Sequence, residues 1–107
     1  MKLIIAIVSN DDSSTVMKEL VKQKFSVTKL ASSGGLLRKG NTTLMIGSRD
    51  DEVEKIADII TKFSRTRNEL VPSSVISDIG IIPSTPLEVT VGGATIFVVD
   101  VEKFKKI

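Results

Sequence analysis

The sequence contains no cysteine, histidine, tryptophan or tyrosine, and its four aromatic residues are all phenylalanine. Without cysteine there is no disulfide, thiolate nucleophile, cysteine-based zinc site or iron–sulfur cluster. Without histidine the chain lacks the side chain that most readily moves protons near neutral pH, which is also the commonest metal ligand. These absences exclude most hydrolase and zinc-enzyme mechanisms. Carboxylate or lysine chemistry stays open, but binding or regulation is favoured over catalysis.

The sequence also lacks a large excess of positive or negative charge. Fifteen Lys and Arg residues against 13 Asp and Glu give a net charge of +2, whereas nucleic-acid binding usually shows as a basic stripe with stacking aromatics. The longest apolar runs are far shorter than the roughly 20 residues that cross a bilayer, and the apolar start is too short for a signal sequence. We therefore expect a cytoplasmic protein with no nucleic-acid or membrane partner.

The 107 residues, 41% hydrophobic and 26% charged, predict one globular domain over residues 1–107. The first half predicts strand, helix, strand and strand. Residues 3–8 form a continuous Ile-rich run typical of a central strand, and the polar stretch 9–14 offers N-caps for a helix that ends near Lys24. Residues 25–31 and 42–46 predict two further strands, joined by a glycine-rich loop at 32–40.

The second half predicts another helix and two more strands. Polar residues 48–51 cap a helix with an apolar stripe that ends near Ser64. Residues 65–86 show no regular periodicity, which predicts a long loop that is functional or mobile. Residues 87–91 and 94–99 alternate as strands, and the two glycines between them predict a two-residue hairpin turn.

This order of elements predicts a ferredoxin-like α+β sandwich, βαββαβ, with an extra C-terminal strand. A doubly wound parallel sheet is the alternative. The loop between the second and third strands is too short to hold a crossover helix, which makes that pair antiparallel and disfavours the alternative.

The glycine-rich loop is the most informative segment for function. Its glycines allow a ligand to approach main-chain N–H groups, although a flexible hairpin connection explains them equally well. Leu36 and Leu37 at its apex must bury against their own core, against a neighbouring subunit, or as the wall of a pocket for a flat apolar group such as a nucleobase. Asn41 suits the edge of a purine but is also a turn residue.

Other candidate residues have simpler explanations. The acid pairs at 11–12 and 50–51 both precede helices, where capping accounts for them, so no catalytic constellation is present. Phe97 alternates within a strand and is expected in the core, while Phe104 is expected to anchor the C-terminal tail on the domain or on another subunit.

Four stretches together resemble the PII-like cyclic-di-AMP receptor family, small cytosolic signal-transduction proteins of Gram-positive bacteria. They are MKLIIAIV at 1–8, TKLA at 28–31, SGGLLRKGNTT at 33–43 and VGGAT at 91–95. The resemblance implies a PII-like homotrimer without catalytic residues, metal or cofactor, whose ligand is cyclic di-AMP. One ligand would bind at each subunit interface, and rearranged loops would relay binding to an unidentified protein target.

The resemblance also implies a set of ligand-binding residues. Thr28 would hydrogen-bond the ligand, Asn41 would bind a base edge, and the backbone at Gly47 would approach the nucleotide. The loop positions that would close over one adenine are Gly35, Leu36 and Leu37, while Phe97 and Lys106 would line or reach the site.

Three of the matching positions depart from the family. Relatives carry an aromatic residue at position 36, Arg at 26 and Asn at 24, where this chain has Leu36, Ser26 and Lys24. A base–aromatic stack is worth roughly 1–3 kcal/mol, so its loss predicts weaker binding. Lys24 or Lys106 can replace the charge of the arginine but not its bidentate geometry. The alternative function is therefore a degenerate PII-like protein-interaction module with weak, altered or no nucleotide binding; a small nucleotide-processing enzyme is a further rival.

Overall fold

The structure is a computed structural model that describes residues 1–30, 40–71 and 87–107. Its elements in chain order are β1 (Lys2–Ser9), α1 (Asn10–Lys22), β2 (Val27–Leu30), β3 (Asn41–Ser48), α2 (Val53–Phe63), β4 (Arg67–Val71), β5 (Leu87–Val91) and β6 (Ala94–Asp100). A single 3₁₀ turn, Asp50–Glu52, leads into α2. Ser9 caps α1, since its hydroxyl accepts a hydrogen bond from the backbone N–H of Asp11.

The main sheet has the strand order β2-β3-β1-β6, and each pair of neighbours is antiparallel. This arrangement with two helices confirms the predicted ferredoxin-like α+β sandwich and excludes the parallel alternative. The additional strands are β4 and β5, which pair with each other and lie between α2 and β6 in the chain. The extra strand was expected at the C-terminal end, but the last strand, β6, is the fourth strand of the main sheet.

The core lies between one face of this sheet and the two helices. Alternate residues of β1 and β3 point to that face, and residues one helical turn apart on α1 and α2 meet them. The fully buried apolar side chains are Ile4, Ala6, Val8, Val16, Leu20, Leu44, Ile46, Ile56 and Ile60. Burying each of the larger ones stabilises the fold by roughly 1.5–3 kcal/mol, so this face of the sheet is fixed by packing.

The expectation of a long loop over residues 65–86 is wrong at its beginning. Residues 67–71 form β4, which pairs in register with β5, from Arg67 opposite Val91 to Val71 opposite Leu87. A strand in a two-stranded ribbon is defined by backbone hydrogen bonds to a partner about 20 residues away, and sequence periodicity does not report such pairing. Residues 72–86, like 31–39, lie outside the described residues.

The predicted hairpin at Gly92 and Gly93 is also wrong, because β5 pairs with β4 and β6 pairs with β1. The two glycines instead carry the chain from one sheet to the other. Both have positive φ, 88° and 83°, and the N–H of Gly93 donates to the carbonyl of Ser64. A Cβ at Gly92 would run into the carbonyl of Arg65. Glycine is thus required here by the positive φ and by the close approach of another backbone segment. A hairpin turn also favours glycine, which is why the sequence alone does not separate the two cases.

Candidate ligand-binding site

A pocket of about 460 Å³ opens on the face of the main sheet that the helices do not cover. Its size falls within the roughly 300–1,000 Å³ typical of small-molecule sites. The residues that line it come from β1, β2, β3 and the segments next to β1, β2 and β6: Met1, Leu3, Ser26, Thr28, Met45, Gly47, Val101 and Phe104. The walls are therefore mainly apolar.

The register of the strands explains why these residues meet. Leu3 on β1 lies opposite Gly47 on β3, and Thr28 on β2 lies opposite Met45. Directly paired residues share a face, and alternate residues along a strand return to it. The same alternation that sends Ile4 into the core therefore sends Leu3 to the pocket.

Gly47 leaves space where any other residue would fill it. A Cβ at this position would come within 3.2 Å of the Cε of Met1, which is tighter than an ordinary contact. With no side chain in the way, a ligand can approach the backbone of β3 at this point.

The polar groups of the pocket are few. Ser26 and Thr28 supply hydroxyls, each able to donate one hydrogen bond and accept others. None of the described residues that line the pocket carries a charged side chain. The arrangement suits a flat, largely apolar group held by one or two hydrogen bonds, whereas an anionic group would need a cation from elsewhere.

An ion pair links β1 to β6 beside the pocket. The ammonium of Lys2 on β1 donates to the carboxylate of Asp100, the residue that faces it on β6. This hydrogen bond raises the pKa of Lys2 and lowers the pKa of Asp100 from their ordinary values. Next to it, the N–H of Val101 donates to the carbonyl of Met1 at 3.1 Å, which fixes the start of the C-terminal tail against β1.

A second polar cluster surrounds the first turn of α1. The N–H of Asn10 donates to the carbonyl of Gly40 at 2.8 Å, and the hydroxyl of Thr42 donates to the side-chain oxygen of Asn10. The guanidinium of Arg67 on β4 binds both carboxylate oxygens of Asp12, at 2.9 and 3.2 Å. The start of α1 is therefore tied both to the end of the 32–40 loop and to the β4–β5 ribbon.

The model of the family described as cyclic-di-AMP receptor matches residues 1–107. The chain belongs to the cyclic-di-AMP receptor family. Among solved structures it is similar to a protein of unknown function from Pediococcus pentosaceus, with 37% sequence identity and a TM-score of 0.76. That match covers 99% of this chain and 96% of the other. The family assignment made from the sequence motifs is thus confirmed over the whole chain.

In the described part of the chain, neither helix is long and apolar enough to cross a membrane. Within the same residues, no group of three or more acidic side chains is placed to hold a metal ion.

The structure brings together three of the site residues predicted from the receptor family. Ser26, Thr28 and Gly47 all line the pocket. Lys24 lies two residues before Ser26, at the end of α1, in the left-handed conformation with φ 69°. Its N–H donates to the carbonyl of Val21 at 2.9 Å, and its side chain is exposed.

Other predicted residues lie apart from the pocket in a single chain. Asn41 begins β3, six residues before Gly47, which is roughly 20 Å at about 3.3 Å per residue. Phe97 on β6 lies opposite Ile5 on β1 and does not line the pocket. Lys106 is exposed in the C-terminal tail. The remaining three, Gly35, Leu36 and Leu37, lie outside the described residues.

The expectation that Phe97 is a core residue is wrong. Its side chain is 52% exposed, because β6 is the last strand of the sheet order and Phe97 points to the side without helices. Alternation within a strand identifies two faces but does not tell which one the helices cover.

Sequence reasoning missed several residues that line the pocket. Leu3 and Met45 were assigned only to strands, and Phe104 was assigned to a tail anchor. The signal that could have found Leu3 is the apolar character of both alternating sets in β1, which shows that neither face of this strand is meant for water. No local signal marks the Asp12–Arg67 pair, since its partners are 55 residues apart.

Proposed function

We propose that this chain binds cyclic di-AMP in the pocket lined by Ser26, Thr28 and Gly47. The observation that carries the proposal is the pocket itself: apolar walls suit a purine, and two hydroxyls next to an accessible backbone suit its polar edge. Membership of the cyclic-di-AMP receptor family supports this choice of ligand. In this proposal the Thr28 hydroxyl hydrogen-bonds the ligand, and the ligand passes close to the backbone at Gly47.

We further propose that the protein works as a homotrimer with the ligand at its subunit interfaces. The face of the sheet without helices supports assembly, because Leu30, Phe97 and Val99 on it are 41%, 52% and 43% exposed. Apolar side chains grouped on one open face favour contact with another protein surface. Neighbouring subunits are then the source of the site residues that lie apart in one chain, Asn41, Phe97 and Lys106.

The proposed role is signalling in the cytosol, without catalysis and without a cofactor. Binding would rearrange the connection between β2 and β3 and the segment that follows α2, and so alter contacts with a protein target. The first turn of α1 supports this relay, since it holds both Gly40 and β4 through hydrogen bonds.

Calorimetric titration tests the proposal. Cyclic di-AMP should bind with one molecule per chain, while cyclic di-GMP, AMP and ATP should bind much more weakly or not at all. Sedimentation of the same sample should give the mass of three chains. No heat of binding with cyclic di-AMP up to roughly 100 μM, where even a micromolar site is saturated, would contradict the proposal.

A protein-interaction module that ignores nucleotides is the second candidate. It is favoured by one observation: in the part of the chain that the structure describes, no charged side chain lines the pocket, although cyclic di-AMP carries two phosphates. The two functions differ in a pull-down with the full chain as bait. A receptor should capture its target differently with and without cyclic di-AMP, whereas an interaction module should capture the same target equally in both.

A further inference from the structure

The C-terminal tail follows the rim of the pocket. It leaves β6 at Asp100, and the hydrogen bond from Val101 to the carbonyl of Met1 holds its first residue beside β1. Val101 and Phe104 then both line the pocket. A tail that ran away from the sheet would contribute neither.

Within its own chain, Phe104 does not have the burial expected of an anchor on the domain. Its side chain is 63% exposed, whereas Phe25, which does serve the core, is 8% exposed. Burial of ring area is what makes a phenylalanine an anchor, and most of the ring of Phe104 remains open to the solvent. A large accessible ring beside an apolar pocket is instead suited to contact with a molecule that enters the pocket.

The other phenylalanines of the chain, all in its described part, have different surroundings. Phe25 is in the core and Phe63 on α2 packs against that core. Phe97 is on the same open face as the pocket, but in a single chain it lies beside Ile5 and does not line the pocket. Phe104 is therefore the aromatic residue that lines this pocket within one chain.

We infer that Phe104 is a ligand-contacting residue whose ring stacks on one purine base of the bound cyclic dinucleotide. The inference rests on the proposed function and assigns to it a residue of the tail. It provides the aromatic contact that Leu36 in the glycine-rich loop cannot make. Stacking needs a π-face as well as apolar volume, which separates this role from simple packing.

Three substitutions separate the two roles by calorimetry with cyclic di-AMP. Phe104→Leu keeps apolar volume and removes the π-face; a lost base–aromatic stack should weaken binding by roughly 5- to 150-fold. Phe104→Ala should weaken it at least as much. Phe104→Tyr keeps the ring and should stay within about twofold of the wild type, far less than the loss of a stack.

Fluorescence gives a direct readout, because the chain contains neither Trp nor Tyr. A Phe104→Trp variant has a single indole at the pocket, and a base stacked on it should change its emission on titration with cyclic di-AMP. The matched control is Asp58→Trp, an exposed position on α2, which packs on the opposite face of the sheet. Its emission should stay constant through the same titration.

The outcomes are distinguishable. If wild-type protein does not bind cyclic di-AMP, the proposed function fails, and the role of Phe104 fails with it. If the wild type binds and Phe104→Leu binds equally well, only the role of Phe104 is overturned. It is also overturned if Phe104→Leu dissociates the trimer in sedimentation, or if the indole emission of the Phe104→Trp variant responds to dilution of the protein but not to the ligand. Loss of affinity in Phe104→Leu with retention in Phe104→Tyr supports it.

Discussion

Replacing Arg67 by Met should destabilise the fold far more than a substitution on a surface ribbon normally does. The guanidinium of Arg67 holds both oxygens of Asp12, at 2.9 and 3.2 Å. The Asp12 side chain is only 8% exposed and that of Arg67 is 38% exposed. Arg67→Met therefore leaves a nearly buried carboxylate without its cation.

The size of the effect follows from this asymmetry. Losing one partner of a fully buried ion pair costs about 3–5 kcal/mol. Because Arg67 lies partly in solvent, water can reach the vacated carboxylate, and we expect the free energy of unfolding to fall by about 2–3 kcal/mol. Asp12→Asn keeps an oxygen acceptor and removes the charge, so it should cost about 1 kcal/mol. In the double variant the two costs should overlap by at least about 1 kcal/mol.

Urea unfolding followed by circular dichroism measures these values. Wild type, the two single variants and the double variant are compared at one protein concentration, since assembly makes stability depend on concentration. Arg65→Met is the matched control, because this neighbouring arginine has an exposed side chain; it should stay within about 0.5 kcal/mol of the wild type. An Arg67→Met protein as stable as this control, or additive costs in the double variant, would refute the reasoning.

Three further predictions concern single positions. Gly92→Ala should lower the free energy of unfolding in urea by well over 1 kcal/mol, because the new Cβ would clash with a backbone carbonyl and the positive φ is unfavourable for alanine. Gly40→Ala has the same sign of φ but no described atom within 4 Å, so it should lower that free energy by about 1 kcal/mol. Lys24→Gly should raise the free energy of unfolding by roughly 1 kcal/mol, since the residue after α1 adopts a left-handed conformation; no gain would contradict this. Asp100→Asn should slightly lower the thermal midpoint at pH 7. The pKa of Asp100 is lowered in the folded state, so its contribution to stability is present above its ordinary pKa and is lost as the pH falls through the folded value. The thermal midpoints of wild type and variant should therefore converge in acid. A difference between them that does not change with pH would contradict this prediction.

The helices and the central strands were predictable because their information is local. The Ile-rich run of β1 and the apolar stripe of α2 each identify an element by its own periodicity. The cap at Ser9 follows from residue type alone. The sandwich then follows from the order of elements and one short connection, which rules out a parallel pair.

The errors concern partners that are distant in sequence. β4 pairs with β5 across a 15-residue stretch, residues 72–86, and the two glycines at 92 and 93 connect two sheets and not two paired strands. In both cases the local sequence is compatible with the observed backbone conformation, but it does not tell which strand pairs with which. Asp12 was explained by capping, although Arg67 is its partner.

Part of the candidate site was predictable because the resemblance to the family assigns those positions to the ligand. Ser26, Thr28 and Gly47 come together because two antiparallel strands place them on one face. The contribution of Phe104 was not predictable, because the tail that follows the last strand has no periodic pattern. Its position depends on the hydrogen bond between Val101 and Met1.

The central claim is that cyclic di-AMP occupies the pocket on the open face of the sheet, and the three methionines of the chain test it. Met1 and Met45 line the pocket, while Met17 on α1 packs against the core on the opposite face. In a titration of methyl-¹³C-methionine protein followed by NMR, the ε-methyl signals of Met1 and Met45 should shift until one ligand per chain is bound, and the signal of Met17 should shift least. Unchanged signals of Met1 and Met45 at saturating cyclic di-AMP would contradict the account.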